Sequence, residues 1–328
     1  MGTLYVDQSG TELRMRDATL QLRRDGQLLR SVPAGLLTRI VLRADTIVTS
    51  NTLAALAQAG IGLVAFGGRS GQRVAHILGA PMSDVRTRVA QCQRLDDPET
   101  TGPWCTILIR GKVRAQRRML QSALQHRPDL RLSLSKALNS LQAILEQTRA
   151  VQQRETLRGL EGAAAAAYFR AYAQLFAPSL GFEGRRRRPP PDPVNASLSL
   201  GYTLLYSQAV QACWTAGLDP MIGLLHQPAY GRASMACDLM EPWRPAIDAW
   251  VWQQFRQRTL RAEHFGHDGS GACLLGKAGR AHFYAAITPL QKRLGRALQH
   301  AARRSARWLA QRAQMPAEDP LATEEDPV

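Results

Sequence analysis

The segment RVAHILGAPMSDVRTRVAQC, residues 73–92, is where the sequence changes period, and that change decides the fold. Its first part, RVAHIL, reads as an extended run. Beyond Gly79, Pro81 and Ser83, which are poor residues for continuing either regular structure, the apolar positions recur at helical spacing. Upstream lie seven more short extended runs: TLYVD, TELRMR, ATLQLRR, QLLRSV, RIVLRA, TIVTS and IGLVAF. Leu20 and Leu22, and Ile40 and Leu42, alternate with polar neighbours as half-buried strands do. Asp25-Gly26 between two runs is a hairpin turn signal, because both turn positions must adopt positive φ. One short helix is expected among the strands, with Ser50-Asn51 as its start and Gly60 as its end. Downstream, helical periodicity predicts helices over 106–126, 130–158, 160–177, 196–217, 242–263 and 289–314.

These readings predict an α+β protein with a small β-rich N-terminal domain and a larger all-α C-terminal domain. The boundary lies near residues 78–88, giving a β-rich domain over 1–80, a linker over 81–88 and an all-helical domain over 89–315. Residues 316–328 carry five acids, three prolines and no base, and read as a disordered acidic tail.

Charge narrows the function. Lys and Arg number 42 against 26 Asp and Glu, a net +16 over 328 residues, which favours a polyanionic partner over a small neutral substrate. No run of about 18 uncharged apolar residues is present and the N-terminus lacks a signal pattern, so a cytoplasmic protein without a membrane span is expected. Cys92, Cys105, Cys213, Cys237 and Cys273 form no paired spacing, which argues against a zinc finger and for reduced thiols. GGRSGQR at 67–73 lacks the phosphate-loop pattern, and no GxSxG elbow occurs.

Three basic groups stand out. Lys112, Arg114, Arg117 and Arg118 share a helix, and Lys292, Arg293, Arg296, Arg303, Arg304, Arg307 and Arg312 decorate the last one; both sets read as solvated helix faces. Arg185, Arg186, Arg187 and Arg188 differ, because they run directly into Pro189-Pro190-Pro191 and cannot be a helix surface. Four arginines there repel one another unless phosphates or carboxylates meet them.

The candidate chemistry lies on Glu161, His226, Asp238 and Glu241. Glu161 opens the alanine-rich helix GLEGAAAAAYF. His226 ends the apolar run MIGLLH, and Asp238 and Glu241 stand three residues apart on one helix face. One imidazole with two or three carboxylates suits Mn²⁺ or Mg²⁺, ions that accept oxygen-rich shells and neutralise charge on a phosphodiester. Taken singly, Glu161 is also a helix-dipole carboxylate and His226 a core histidine.

The stretches LEGAAAAAYF at 160–169, RRRRPPPDPVNASLSLGYTLL at 185–205, AGLDPMIGLLH at 216–226 and DLMEPWRPAID at 238–248 together resemble, in order and spacing, the CRISPR-associated spacer-acquisition integrases, the first Cas protein of the adaptation module (Cas one). LYVD and IGLVAF resemble that family's small β domain. The resemblance implies a homodimer formed through the β domain and a metal-dependent site with Glu161, His226 and Glu241 as ligands and Asp238 as a further catalytic acid. It also implies joining of the 3′-OH ends of captured DNA into a CRISPR repeat by transesterification, in assembly with the small ferredoxin-like second Cas protein (Cas two). In this setting Arg185 to Arg188 would hold DNA phosphates; Asn195 and Tyr202 read first as capping and packing residues, and otherwise as residues that position that wall. Two other readings of the residues stay open: a metal-dependent nuclease of branched or single-stranded DNA without integration, and a non-catalytic DNA-binding scaffold.

Overall fold

A computed structural model describes residues 2–67, 73–79, 85–186 and 189–311. The eight extended runs form eight strands in two four-stranded sheets. In the first, β1 (Gly2–Val6) lies parallel to β5 (Leu37–Leu42), β5 parallel to β7 (Gly62–Gly67), and β7 antiparallel to β8 (Arg73–Ile77). In the second, β2 (Thr11–Arg16), β3 (Thr19–Arg24) and β4 (Gln27–Pro33) form an antiparallel meander, and β6 (Thr46–Val48) adds in parallel to β2. Asp25 and Gly26 both take positive φ, as the β3–β4 turn requires. Asp17 and Ala18 do the same between β2 and β3, where the sequence carries no glycine to signal it. Helix α1 (Ser50–Gln58) is capped by the Thr49 hydroxyl, one residue before the expected cap, and stops at Gly60, which sits at φ 67°.

The alternation along β5 and β7 sorts their side chains between two cores. Ile40, Leu42 and Leu63 join Leu13, Leu20 and Leu22 between the sheets, while Val41, Val64 and Phe66 turn the other way into the core of the helical part. The central strands β5 and β7 are therefore buried on both faces, which explains why IGLVAF is continuously apolar. Polar contacts fasten the same sheet to the helices. Gln211 donates to the Thr38 carbonyl at 3.0 Å, Arg280 pairs with Asp7 at 2.9 Å, and Tyr5 stacks on Tyr284 with ring centroids 4.5 Å apart.

The rest of the chain is mainly helical. Helices α2 (Arg86–Gln93), α3 (Pro98–His126), α4 (Arg131–Gln147), α5 (Arg154–Ala173), α6 (Pro193–Thr215), α7 (Ser234–Met240), α8 (Arg244–Arg256) and α9 (Lys277–Ala310) surround one large core. Several expectations change, the simplest being that α3 and α9 begin at Pro98 and Lys277, well before 106 and 289, and run on through Pro103 and Pro289. The helix predicted over 130–158 is two helices, because Arg110 of α3 donates to the Leu145 carbonyl and the Thr148 hydroxyl and so satisfies the end of α4 from outside. The helix predicted over 242–263 ends at Arg256, just before Arg258 takes a left-handed φ of 57°. The helical part is also not all-α: β9 (Phe265–His267) and β10 (Cys273–Leu275) form an antiparallel ribbon. The Asp268 carboxylate closes its turn by accepting from the Ser270 and Ala272 backbones, and Gly271 supplies a φ of 77°.

The linker positions 81–84, most of the 67–73 loop, Arg312 and the tail over 316–328 lie outside the described residues. No described helix is long and apolar enough to cross a membrane.

Helices α6 and α8 cross closely at Gly201, where an added Cβ would lie 2.6 Å from Ile247 Cγ2. Gly201→Ala is therefore expected to lower the unfolding free energy by about 1–3 kcal/mol in urea denaturation, despite the better helix propensity of alanine.

Candidate metal and nucleic-acid site

Asp238 lies on α7, fully buried, and organises the loop that carries His226. Its Oδ2 accepts from the backbone nitrogens of Leu224 and Leu225, each at 2.8 Å, and from Trp104 Nε1 at 3.3 Å. Its Oδ1 accepts from the His226 backbone at 2.9 Å and faces His226 Nδ1 at 2.7 Å. A carboxylate opposite Nδ1 selects the tautomer protonated there, leaving the Nε2 lone pair available to a ligand. The loop is held from its other side by Gln91 of α2, which donates to the Asp219 and Ile222 carbonyls and accepts from the Asp219 nitrogen. Gly223 is required here, because a Cβ would stand 2.6 Å from both the His226 carbonyl oxygen and the Ser234 carbonyl carbon.

Glu161 of α5 and Glu241 meet around a third side chain. Lys112, buried on α3, donates from Nζ to Glu161 Oε1 and, at 2.6 Å, to Glu241 Oε2. Arg244 at the start of α8 donates to the other Glu241 oxygen at 2.7 Å. Burial opposes the charge on Glu241, but Arg244 and Lys112 outweigh it and hold the carboxyl well below the usual range, with a smaller contribution from His226. Burial likewise opposes the charge on Lys112, and Glu241 and Glu161 together raise its pKa above the ordinary lysine value.

Asp238 and Glu241 share a short stretch of chain but not a set of partners. The helix tightens at Glu241 into a 3-10 turn over Glu241–Trp243, so Asp238 faces the His226 loop while Glu241 faces Lys112 and Arg244. Among the described residues, no three His, Cys, Asp or Glu side chains converge closely enough to hold a metal ion as they stand. The chemistry of the donors does fit one: Glu161 and Glu241 already coordinate a cationic nitrogen between them, and His226 stands near enough to influence Glu241 electrostatically.

Arg185 and Arg186 form a wall held by Asn195 of α6, which is fully buried. Asn195 Oδ1 accepts from Arg185 Nη1 and from the Arg186 backbone, both at 2.8 Å, and its Nδ2 donates to the Gly184 carbonyl at 2.9 Å. Arg187 and Arg188 lie outside the described residues. Tyr202 links this wall to the glutamates: the Arg185 and Arg244 guanidinium groups lie 5.3 and 4.9 Å from its ring centroid. The Tyr202 hydroxyl donates to Asp248 Oδ1, and Tyr168 donates to Oδ2 at 3.0 Å. Burial pushes the Asp248 carboxyl up to about 6, against these two hydrogen bonds and the charges of Arg185 and Arg244.

Lys112, Arg244, Trp104 and Asp248 were not among the residues expected at the site. Lys112 in particular belongs to no solvated face. Its signal in the sequence is its place at helical spacing among Leu108, Ile109, Val113, Gln116, Met119 and Leu120, all buried positions of α3. On α9, by contrast, Lys292, Arg293, Arg296, Arg303, Arg304 and Arg307 are exposed, as a solvated face requires.

Residues 4–288 match the family model described as CRISPR associated protein Cas1. The chain belongs to the Cas1 family. It is 33% identical over 287 residues to CRISPR-associated endonuclease Cas1 1 of Thermodesulfovibrio yellowstonii, covering 87% of this chain and 89% of that one. It is 37% identical over 285 residues to CRISPR-associated endonuclease Cas1 2 of Rhodospirillum rubrum, covering 84% and 82% respectively. The fold matches a solved CAS1 protein from Thermotoga maritima with a TM-score of 0.80 at 20% identity, over 94% of this chain and 97% of that one.

The hydrogen bond from Tyr202 favours ionised Asp248, so Tyr202→Phe is expected to raise the Asp248 pKa further above about 6. Carbon-13 titration of labelled aspartate carboxyls measures this shift, and an unchanged or lowered value refutes the assigned contact. Because the folded-state pKa is already raised, the contribution of Asp248 to stability is present in full below about pH 4 and is lost as pH rises through about 6.

Proposed function

We propose that the protein is a divalent-metal-dependent DNA integrase and endonuclease of CRISPR adaptation, joining the 3′-OH ends of captured foreign DNA into a CRISPR repeat by transesterification. The observation that carries this reading is the meeting of Glu161 and Glu241, from separate helices, around one buried cation, with His226 locked nearby by Asp238. The endonuclease name of the relatives, 33% and 37% identical over most of the chain, supports the same class of chemistry.

In this reading Glu161, Glu241 and His226 Nε2 would hold Mn²⁺ or Mg²⁺, and the ion would supply Lewis-acid charge to the phosphodiester. Asp238 is enclosed by its five donors and acts by orienting His226 rather than as a ligand. Arg185 and Arg186 bind backbone phosphates beside the glutamates, with Arg187 and Arg188 next in sequence, and the exposed cations of α9 extend the path for DNA. The 3′-OH of the captured strand attacks the phosphodiester, a new ester bond forms, and the repeat strand's own 3′-oxygen leaves. The protein acts in the cytoplasm. It pairs as a homodimer through the second sheet, where Leu28 and Leu29 on edge strand β4, with Leu36 just after it in the chain, expose large apolar side chains. Cas two is its partner in the integration assembly.

The test incubates the purified protein, with and without Cas two, with a 3′-OH DNA duplex and a repeat-containing plasmid in Mn²⁺ or Mg²⁺. Covalently joined products are expected, reduced at least about 100-fold in Glu161→Ala and His226→Ala. Shortened strands without joining would make the protein a nuclease, and DNA binding without any new product would make it a scaffold.

Lys112 occupies the space between the two glutamates that the ion would take, so metal entry exchanges one cation for another. Lys112→Met is therefore expected to bind Mn²⁺ about tenfold more tightly than the wild type, measured by electron paramagnetic resonance. Equal affinity would show that the lysine does not compete for the carboxylates.

A further inference from the structure

Arg39 on β5 is 1% exposed and reaches from the first sheet toward α6 and α9. Its guanidinium donates to Ser207 Oγ at 3.5 Å, to Thr3 Oγ1 at 3.4 Å and to Gln291 Oε1 at 3.4 Å, and its Nε has no partner. All three acceptors are neutral and all three distances lie at the long limit of hydrogen bonding. No carboxylate among the described residues pairs with it. Lys112, the other buried cation among the described residues, is met differently, facing Glu161 and Glu241.

A guanidinium so enclosed has lost its hydration without gaining a counter-charge, a costly state that native interiors avoid. Burial lowers its pKa only to about 10, so it stays charged at neutral pH. The titratable groups that face it are Tyr5, whose pKa burial raises to about 12, and His76, whose pKa is lowered by burial and by Arg39 itself; neither supplies a negative charge at neutral pH. Gln291 Nε2 is a further buried donor without an acceptor, as are the Tyr5 and Tyr284 hydroxyls. Gln208 Oε1 is a buried acceptor without a donor beside them, and no group facing Arg39 brings negative charge.

Arg39 also lines a cavity of about 30 Å³, together with Thr3, Thr38, Gln208, Gln211 and Gln299. No acid lines it. One water needs roughly 10–15 Å³ of such volume, so the space holds about two waters, or one chloride-sized ion in their place. We propose that this cavity is a monovalent-anion site that holds one chloride-sized ion as the counter-charge of Arg39. The ion sits at the seam between the first sheet and helices α6 and α9. An anion held there stabilises the folded chain by mass action and fastens the sheet to the helices. This site is separate from the glutamate–lysine cluster and does not depend on the function proposed for that cluster.

The probe is bromide. Crystals of the full chain grown without halide and soaked in bromide are expected to show an anomalous peak within hydrogen-bonding distance of the Arg39 guanidinium. In solution, the melting temperature is expected to be about 2–4 °C higher in chloride than in gluconate at matched ionic strength. Arg39→Met is expected to remove both effects. Where that variant does not fold, the wild-type bromide map and chloride titration decide alone. A cavity containing only water, with equal melting temperatures in the two salts, overturns the proposal, as does bromide bound only at other positions.

Discussion

The ammonium group of Lys112 is the contact on which the site depends. It joins α3 to α5 through Glu161 and to the corner between α7 and α8 through Glu241, three parts of the chain that share no local hydrogen-bonding pattern. Without a cation between them, two carboxylates in a largely buried space would repel each other and lose their hydration. Arg244 completes the balance, so two acids are matched by two bases within a few ångströms. Such a cluster is held by geometry rather than by net gain in stability, since desolvation cancels much of the attraction. What it gains is placement: two carboxylates pointed at one point in space, which is what binding a divalent ion requires.

A second buried carboxylate has a different role. Asp238 is caged by three backbone nitrogens, the Trp104 indole and the His226 ring, so its negative charge fixes the shape of the loop rather than being offered to a ligand. Two acids three residues apart therefore differ in what they do, since Asp238 fixes the imidazole while Glu241 faces Lys112 and Arg244. Asn195 plays a comparable part at the arginine wall, where one side-chain amide holds Arg185, the Arg186 backbone and Gly184 together. Tyr202, whose ring meets the guanidinium groups of both Arg185 and Arg244, brings that wall against the glutamates. The arginines that would meet phosphates and the carboxylates that would meet metal are thus parts of one packed unit.

Much of the fold is legible in the sequence because strand and helix signals are local. All eight extended runs are strands, and Asp25-Gly26 makes the turn its φ preferences demand. Expectation and structure part where a distant residue intervenes. Nothing within 130–158 reveals that Arg110 will satisfy the end of α4, and the ribbon at β9 and β10 is hidden because each strand is only three residues long. Lys112 is obscured for a related reason: its charge suggests solvent, whereas its spacing places it on the buried stripe of α3. Arg39 is equally inconspicuous, because a single arginine in a strand gives no hint that the face it occupies will be covered by α6 and α9.

The sequence by itself determined the periods, and with them the order of strands and helices, the excess of positive charge, and the residue types able to bind metal and phosphate. These follow from the chain's own dihedral preferences and from side-chain chemistry, which act over a few residues. Only the tertiary structure decided which carboxylate faces which cation. Glu161, Lys112 and Glu241 lie far apart in sequence, and their charges acquire their effect only when packing brings them together and removes the water between them.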